Sequence, residues 1–534
     1  MRFFIFCLTS LPFIVFGQSD AKMIKDIKKH VYFLANDKLE GRRTGTLGEK
    51  KAWGYLSRQF KKNKISPLFE KFNGFVQPFT FNEGVEIDKN NFIKSPEKVL
   101  TIVKDFFPLP YTQCGAFVFP NKNDAYGYLN ISELVRDSSN NPHFDLDETI
   151  YQKMKSEKDF KDKKIVFVYN SNDSAIQFKF DNKNKRELVP FVAVYCDRNA
   201  INNIKHSAEL SLSINILQKN RTGLNVAGWI NNNASKNIII GAHYDHLGYG
   251  EDHNSLYTGK VPIIHNGADD NASGTAALLT LSKIIKKRSN KNFNYIFVAF
   301  SGEELGLYGS KYFTEHCPVD IHSINYMINM DMIGRLNDST HGLTIGGFGT
   351  SPSWGKIIDI NDGYFKIKVD SSGIGPSDHT SFYKKDVPVL FFFTGVHSDY
   401  HKPTDDADKI NYKGEAKIIQ YILSVINKTK EMDKLVFTKT KENINSGKSS
   451  FKVTMGIMPD YTFSGNGVMV DGVSDNRPAQ KAGVQIGDII YQLGNTIVSD
   501  VQSYMEALSK FKKGDAVNVK IKRAQNELIL NVVF

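Results

Sequence analysis

The sequence predicts an α/β protein: a mixed, mostly parallel sheet flanked by helices, with an inserted β-rich domain and a compact C-terminal module. Three observations carry this. Four apolar runs, "NIIIGAHYD", "NYIFVAFSGEE", "INYMINMD" and "VPVLFFFTG", have the length and the β-branched or aromatic content of buried parallel strands. Helical stretches alternate with them, "ASGTAALLTLSKIIKK" from Ala272 and "LGLYGSKYFTEH" from Leu305, as an open α/β sheet requires. From about Thr80 to Asn220 the texture changes to short strand-like runs such as "KKIVFVYN" and "VPFVAVYC", set among Asn-, Lys- and Asp-rich turns.

Taken in order, the chain opens on an address. Met1 and Arg2 give a short positive start, and "FFIFCLTSLPFIVF" is an apolar core too short to span a bilayer as a mature helix. Gly17 supplies a small residue, so residues 1–17 read as a signal peptide cleaved near Gly17–Gln18. Cys7 lies inside the apolar core, which argues against a lipid-anchored cysteine. The expectation is an exported protein, periplasmic or extracellular, with no integral membrane segment after cleavage. Residues 18–80 then read as two amphipathic helices joined by the "GRRTGT" loop, with Arg42 and Arg43 in salt-bridged structural roles. The insert occupies 81–220. The segment 221–432 carries the apolar strands and ends in "GEAKIIQYILSVINKTKEM", where Ile418, Ile419, Ile422, Leu423 and Ile426 mark one helical face. Residues 433–450 read as a polar linker, and the compact module runs from 451 to 534.

Composition narrows the function. The 534 residues hold 68 Lys or Arg against 57 Asp or Glu, a net charge of +11, but the excess is scattered in mixed runs such as "KIIKKRSNK". No basic block with interleaved aromatics appears, so nucleic-acid binding is disfavoured. Of four cysteines, Cys7 leaves with the signal. Cys114, Cys196 and Cys317 are too sparse and odd a set for a disulfide framework. A single Cys114–Cys196 bridge is compatible with an oxidising compartment, and the sequence leaves it open.

The chemistry lies in five short stretches. They are "GAHYDHLG" with His243 and Asp245, "GADDNASG" with Asp269 and Asp270, "FSGEELGLYGS" with Glu303 and Glu304, "INMDMIG" with Asp331, and "DYHKPTDDADKI" with His401. Imidazole and carboxylate are the ligands of zinc and similar divalent cations. A pair of metals ~3.5–4 Å apart needs one carboxylate between them and two further ligands each. The five stretches supply that set with one glutamate to spare, although the pattern alone leaves open which carboxylate bridges. His243, Glu304 and Asp331 fall at the carboxyl ends of the apolar runs, where open α/β sheets bind ligands. Asp270 precedes a helix, whose dipole favours a carboxylate there. Asp269 reads instead as that helix's N-cap. His246, His265, His379 and His397 read as lining or structural, and Tyr400 as packing.

The order and local sequence of these stretches resemble the bacterial two-zinc leucyl-type aminopeptidases, a family that also includes glutamate carboxypeptidases, inactive transferrin receptors and one-zinc glutaminyl cyclases. The resemblance implies two Zn²⁺ per chain, or other divalent metals in their place. Asp270 would bridge them, His243 and Asp331 would complete one site, and Glu304 and His401 the other. Asp245 would orient His243, and Glu303 would be the general base acting on the attacking water. The family places the "GPSDHTSF" loop, with Asp378 and His379, near the substrate. The insert resembles a protease-associated domain by position and texture.

The C-terminal module resembles a PDZ domain of the bacterial protease type. Thr454, Met455, Gly456 and Ile457 match its carboxylate-binding loop, so peptide C-termini are expected partners. The expected activity is that of an exported zinc aminopeptidase acting on peptides. The alternatives are a glutamate-type carboxypeptidase, which would need an arginine cluster, and a PDZ-led peptide-binding scaffold with secondary peptidase activity.

Overall fold

The computed structural model describes residues 14–69, 74–120, 125–137, 146–156, 158–171, 178–182, 186–207, 209–252, 254–259, 261–288, 290–440, 453–459, 466–499, 501–512, 514–524 and 526–534, less 474–476. Most of the expected signal peptide therefore lies outside the described residues. The first helix, Ile14–Leu34, buries Met23, Ile27, Val31 and Leu34, a stripe at helical spacing that begins beyond the expected cleavage point. Among the described residues no helix is long and apolar enough to cross a membrane.

Strands Asn237–His243, Asn294–Phe300 and Ile324–Met330 are buried at every position. This is why their sequences read as continuous apolar runs, since both faces of the sheet are covered. Asn237–His243 pairs in parallel with the other two, and Ile324–Met330 pairs in parallel with Val389–Phe393. Among the described residues the sheet has nine strands. It continues through Gly342–Gly346, antiparallel to Val389–Phe393, and on its other side through Ile216–Ile230, antiparallel to Asn294–Phe300. The fold is the mixed, mostly parallel α/β sheet expected. One apolar layer packs helices Ile14–Leu34, Leu47–Lys62, Gly274–Arg288 and Tyr412–Lys428 on the sheet, and a second layer gathers Phe300, Phe313, Met327 and Phe382.

Residues 80–221 form a separate unit. One of its sheets is antiparallel, but in the other Tyr126–Asn130, Ile165–Tyr169 and Val192–Cys196 are parallel. Helices Leu146–Ser156 and Arg198–His206 belong to the same unit. The insert thus contains an α/β layer as well as β structure. The runs "KKIVFVYN" and "VPFVAVYC" already had the continuous apolar character of parallel strands, whereas the described part of the first helix buries only Ile150, Tyr151 and Met154, too little to stand out. Cys114 is exposed, Cys196 buried, and both are free thiols.

The C-terminal module has its own apolar core around Met455, Val470, Ile490, Leu493 and Val519. Its sheet runs from the edge strand Ile457–Pro459 to Asn526–Val533. The first part of the segment read as a linker is held by hydrogen bonds to the domain built on the nine-stranded sheet. The Leu435 amide donates to Asn325 Oδ1 (2.7 Å), that of Thr438 to the Thr350 carbonyl (2.8 Å), and that of Thr440 to the Tyr383 hydroxyl (3.0 Å). Residues 441–450 lie outside the described residues.

Candidate metal centre

Parallel neighbours end on the same side of a sheet, so His243, the Glu303–Glu304 turn and Asp331 leave their strands together. The turns that follow are tight. Gly302 (φ +69°), Leu307 (φ +63°), Met332 (φ +50°) and His401 (φ +52°) all occupy the left-handed region. Three of these are not glycine, and such backbone clusters where side chains must be aimed against local preference.

Two half-sites result. His243 Nε2 lies 3.3 Å from Asp331 Oδ1 and 3.4 Å from Asp270 Oδ1. His401 Nε2 lies 3.2 Å from Glu304 Oε2 and 3.3 Å from Asp270 Oδ2. Asp270 thus offers one oxygen to each histidine. Glu303 Oε2 stands further off, 4.0 Å from His243 Nε2. The outer nitrogens are occupied. His243 Nδ1 faces the Asp245 carbonyl (3.3 Å) and Oδ1 (3.6 Å), and His401 Nδ1 faces the Asn254 carbonyl (2.8 Å). In both rings Nε2 is left pointing at the carboxylates.

Donors about 2.0–2.1 Å from a tetrahedral zinc stand about 3.3 Å apart. The 3.2–3.4 Å separations in both half-sites match that edge, so the residues fit a metal pair. His243, Asp270 and Glu304 group closely enough to hold an ion, as do His243, Glu303 and Asp331.

The electrostatics agree. Burial pushes the Glu303 carboxyl well above its ordinary range. Burial also raises Asp270, but His246, His243 and His401 outweigh it and hold that carboxyl low. The cleft beside these groups has a volume of about 1050 Å³ and an apolar wall that includes Met332, Ile374, Phe391, Phe393 and Val396. Lys368 is the single basic side chain besides histidine among its described lining residues.

Several roles differ from the sequence reading. Asp269 is not the helix N-cap, because Asn271 Oδ1 accepts the Gly274 amide (2.9 Å). Asp269 instead accepts the Gly334 amide (2.6 Å) and the Ser273 hydroxyl (3.0 Å), with His397 Nε2 at 3.1 Å. Fully buried Arg42 hydrogen-bonds to carbonyls rather than to carboxylates: Leu34 (2.5 Å), Tyr244 (2.7 Å), Asn266 (2.7 Å) and Gly267 (3.0 Å). Arg43 does form a salt bridge, to Asp252 (2.7 Å).

His246 is more than lining, since its Nδ1 lies 2.7 Å from Glu304 Oε1 and so orients a candidate ligand. Its place one residue after Asp245 was the available signal. The other histidines are structural or lining: His265 meets Ser255 Oγ (2.6 Å), and His379 lines the cleft and stacks on Phe391, where burial pushes it down to about 3. Tyr400 stacks on His401 with ring centroids 3.9 Å apart. Thr44 and Ser377 were missed: Thr44 donates to Asp245 Oδ2 (2.9 Å), and the Ser377 hydroxyl opposes the burial that raises the Asp331 carboxyl.

Residues 225–426 match the family model for peptidase family M28, and residues 438–533 match that of the PDZ domain. The chain is 29% identical over 226 residues to the uncharacterized protein YfbL of Escherichia coli strain K12, covering 36% of this chain and 67% of that protein. It is 25% identical over 288 residues to aminopeptidase YwaD of Bacillus subtilis strain 168, covering 50% of this chain and 56% of that protein. Among solved structures, BSAP, a zinc aminopeptidase from Bacillus subtilis, aligns at 19% identity and TM-score 0.45, over 76% of this chain and 95% of that one. The chain spans 67% and 56% of these two curated relatives. With its ligand-rich strand ends inside the first matched segment and a separate C-terminal core inside the second, the chain carries a peptidase family M28 segment over residues 225–426 and a C-terminal PDZ domain.

Proposed function

We propose that this protein is an exported two-zinc aminopeptidase. The observation that carries the reading is Asp270, which presents one oxygen to each of two histidine–carboxylate half-sites at tetrahedral donor spacing. His243 and Asp331 would hold one ion, His401 and Glu304 the other, and Asp270 both. When bound, zinc supplies the Lewis acid that polarises the scissile carbonyl and acidifies the attacking water. Glu303, partly buried and with its carboxyl raised, takes that water's proton and returns it to the leaving amine. Asp245 and His246 keep a ring and a carboxylate aimed.

The acid-rich end of the cleft suits a free α-amino group, and the apolar wall suits a side chain. No arginine is among the described lining residues, which weighs against a carboxypeptidase that must grip a C-terminal glutamate. Export rests on the basic start and apolar core of residues 1–17. We read the insert as a protease-associated-type domain from its position and mixed architecture.

Peptide hydrolysis with and without chelator tests the reading. Acetylating the amine of a short peptide should suppress cleavage, and amidating its C-terminus should not. The opposite pattern would move the protein to the carboxypeptidase class.

A second reading, in which the PDZ domain recruits peptides, is supported by the edge position of Ile457–Pro459, open to an added strand, and by Gly456 at φ +78° before it. Fluorescent peptides with free C-termini should bind the full chain, and their amides should bind more weakly.

A further inference from the structure

We propose that Asp405 is a positioning residue that holds the Asp270 segment and the His401 loop together, and thereby sets the spacing of the second half-site. The proposal rests on the two-metal reading. Asp405 follows His401 by four residues and is fully buried. Its Oδ2 accepts two successive amides, those of Asp269 (2.9 Å) and Asp270 (3.0 Å), and its carbonyl accepts the amide of Ala268 (3.0 Å). One residue therefore fixes three consecutive N–H groups that end at the bridging carboxylate. The same segments are also tied laterally, from Asn266 Nδ2 to Asp406 Oδ1 (3.1 Å) and by His397 Nε2 at 3.1 Å from Asp269 Oδ2.

The chemistry is that of an acceptor and not of a salt bridge. The described hydrogen bonds to the Asp405 carboxylate come from backbone amides, and its Oδ1 has no hydrogen-bond partner among the described residues. A buried carboxylate held this way is costly, so a residue needed for volume alone would be better apolar. The amides it engages carry the brace further. Asp269, with its backbone fixed by Asp405, uses its own carboxylate to accept the Gly334 amide (2.6 Å), three residues beyond Asp331. The loops bearing Asp270, Asp331 and His401 meet at this pair of aspartates.

The second half-site depends on Asp405 twice, since both Asp270 and His401 belong to segments it joins. The first half-site depends on it only through Asp270. Loss of the acceptor should therefore weaken one metal more than the other.

The test is zinc titration of the full-length wild type, Asp405→Ala and Asp405→Asn, together with amide hydrogen exchange at residues 269 and 270 in the metal-free proteins. Asp405→Ala should bind one of its two metals about 10–100-fold more weakly and exchange those amides faster. Asp405→Asn keeps an acceptor oxygen and should stay within about threefold of wild type. Wild-type affinity at both sites in Asp405→Ala with unchanged exchange would overturn the proposal. So would an Asn variant as impaired as the Ala variant. Should Asp405→Ala not fold, Asp405→Asn decides alone: near-wild-type affinity supports the acceptor role, and loss of metal defeats it. A wild type that binds fewer than two metals would defeat the two-metal reading itself, while amide exchange in the metal-free proteins still tests the brace.

Discussion

Acidic side chains in the insert and the PDZ domain meet arginines, whereas those around the cleft meet histidines and one another. In the insert, Asp147 and Glu148 pair with Arg186, and Glu83 with Arg221. In the PDZ domain, fully buried Asp488 pairs with Arg523 (2.7 Å). At the cleft, Asp270, Glu303, Glu304 and Asp331 form no salt bridge with lysine or arginine among the described residues, and Arg42, which feels the Asp270 and Glu304 charges, hydrogen-bonds to carbonyls.

The difference shows in proton affinity. Glu148 lies below its ordinary range through its bond from Gln152 and its pairing with Arg186. Burial pushes Glu303 well above it, raises Asp378 to about 7, and raises Asp331 as well, whereas histidine neighbours outweigh burial at Asp270 and Glu304 and hold both low. A buried acid excess that lysine and arginine do not pair directly would be balanced by the metal pair proposed above.

The largest effect expected from this contrast is on the adjacent glutamates. Glu303→Gln keeps shape but loses the proton acceptor, so turnover should fall by roughly 10²–10⁴-fold with metal content unchanged. Glu304→Gln should lower metal stoichiometry along with rate. Metal analysis beside steady-state kinetics reads both, and exchanged outcomes would reverse the two assignments.

Next comes an acid of the catalytic domain that is neither paired with a cation nor a proposed ligand. Glu49 accepts from Ser301 (2.5 Å), Gly45 (2.7 Å) and Leu224 (3.1 Å), and burial raises it from 4.5 to about 7. The unfolded chain releases this proton near pH 4.5 and the folded one near 7. Stability present below pH 4.5 is therefore lost as pH rises through 7, by up to about 3 kcal/mol. Denaturant melts from pH 4 to 8 should show this slope in wild type and a flatter one in Glu49→Gln. Equal slopes would mean that the hydroxyl and amide donors keep the carboxylate ionised.

The smallest effect is the most direct comparison. In metal-free protein, Asp331→Asn removes a charge from an acid cluster and should stabilise by about 1 kcal/mol. Asp488→Asn removes the partner of Arg523 and should destabilise the PDZ domain by about 1–2 kcal/mol, a value kept low because Arg523 is about a third exposed. Thermal melts with chelator present would show the opposite signs. Shifts of the same sign would mean that the cleft acids are balanced without metal.

The contrast was half legible beforehand. Continuous apolar runs ending in His243, Glu304 and Asp331 announce buried parallel strands and the polar positions at their ends, because strand burial is a local pattern. The parallel layer of the insert was written in the same code but obscured by weakly patterned helices around it.

What the sequence by itself determined is the sheet, the residue types at its carboxyl ends, and a separate small core after the catalytic region. Only the tertiary structure decided that Asp270 stands between two histidines and that His246 aims Glu304. It alone decided that Arg42 pins carbonyls, and that Asp405 rather than Asp269 governs the loop. Periodicity records which face of an element is buried, but a hydrogen bond between residues far apart in the chain depends on where packing brings their loops. No local pattern carries that information.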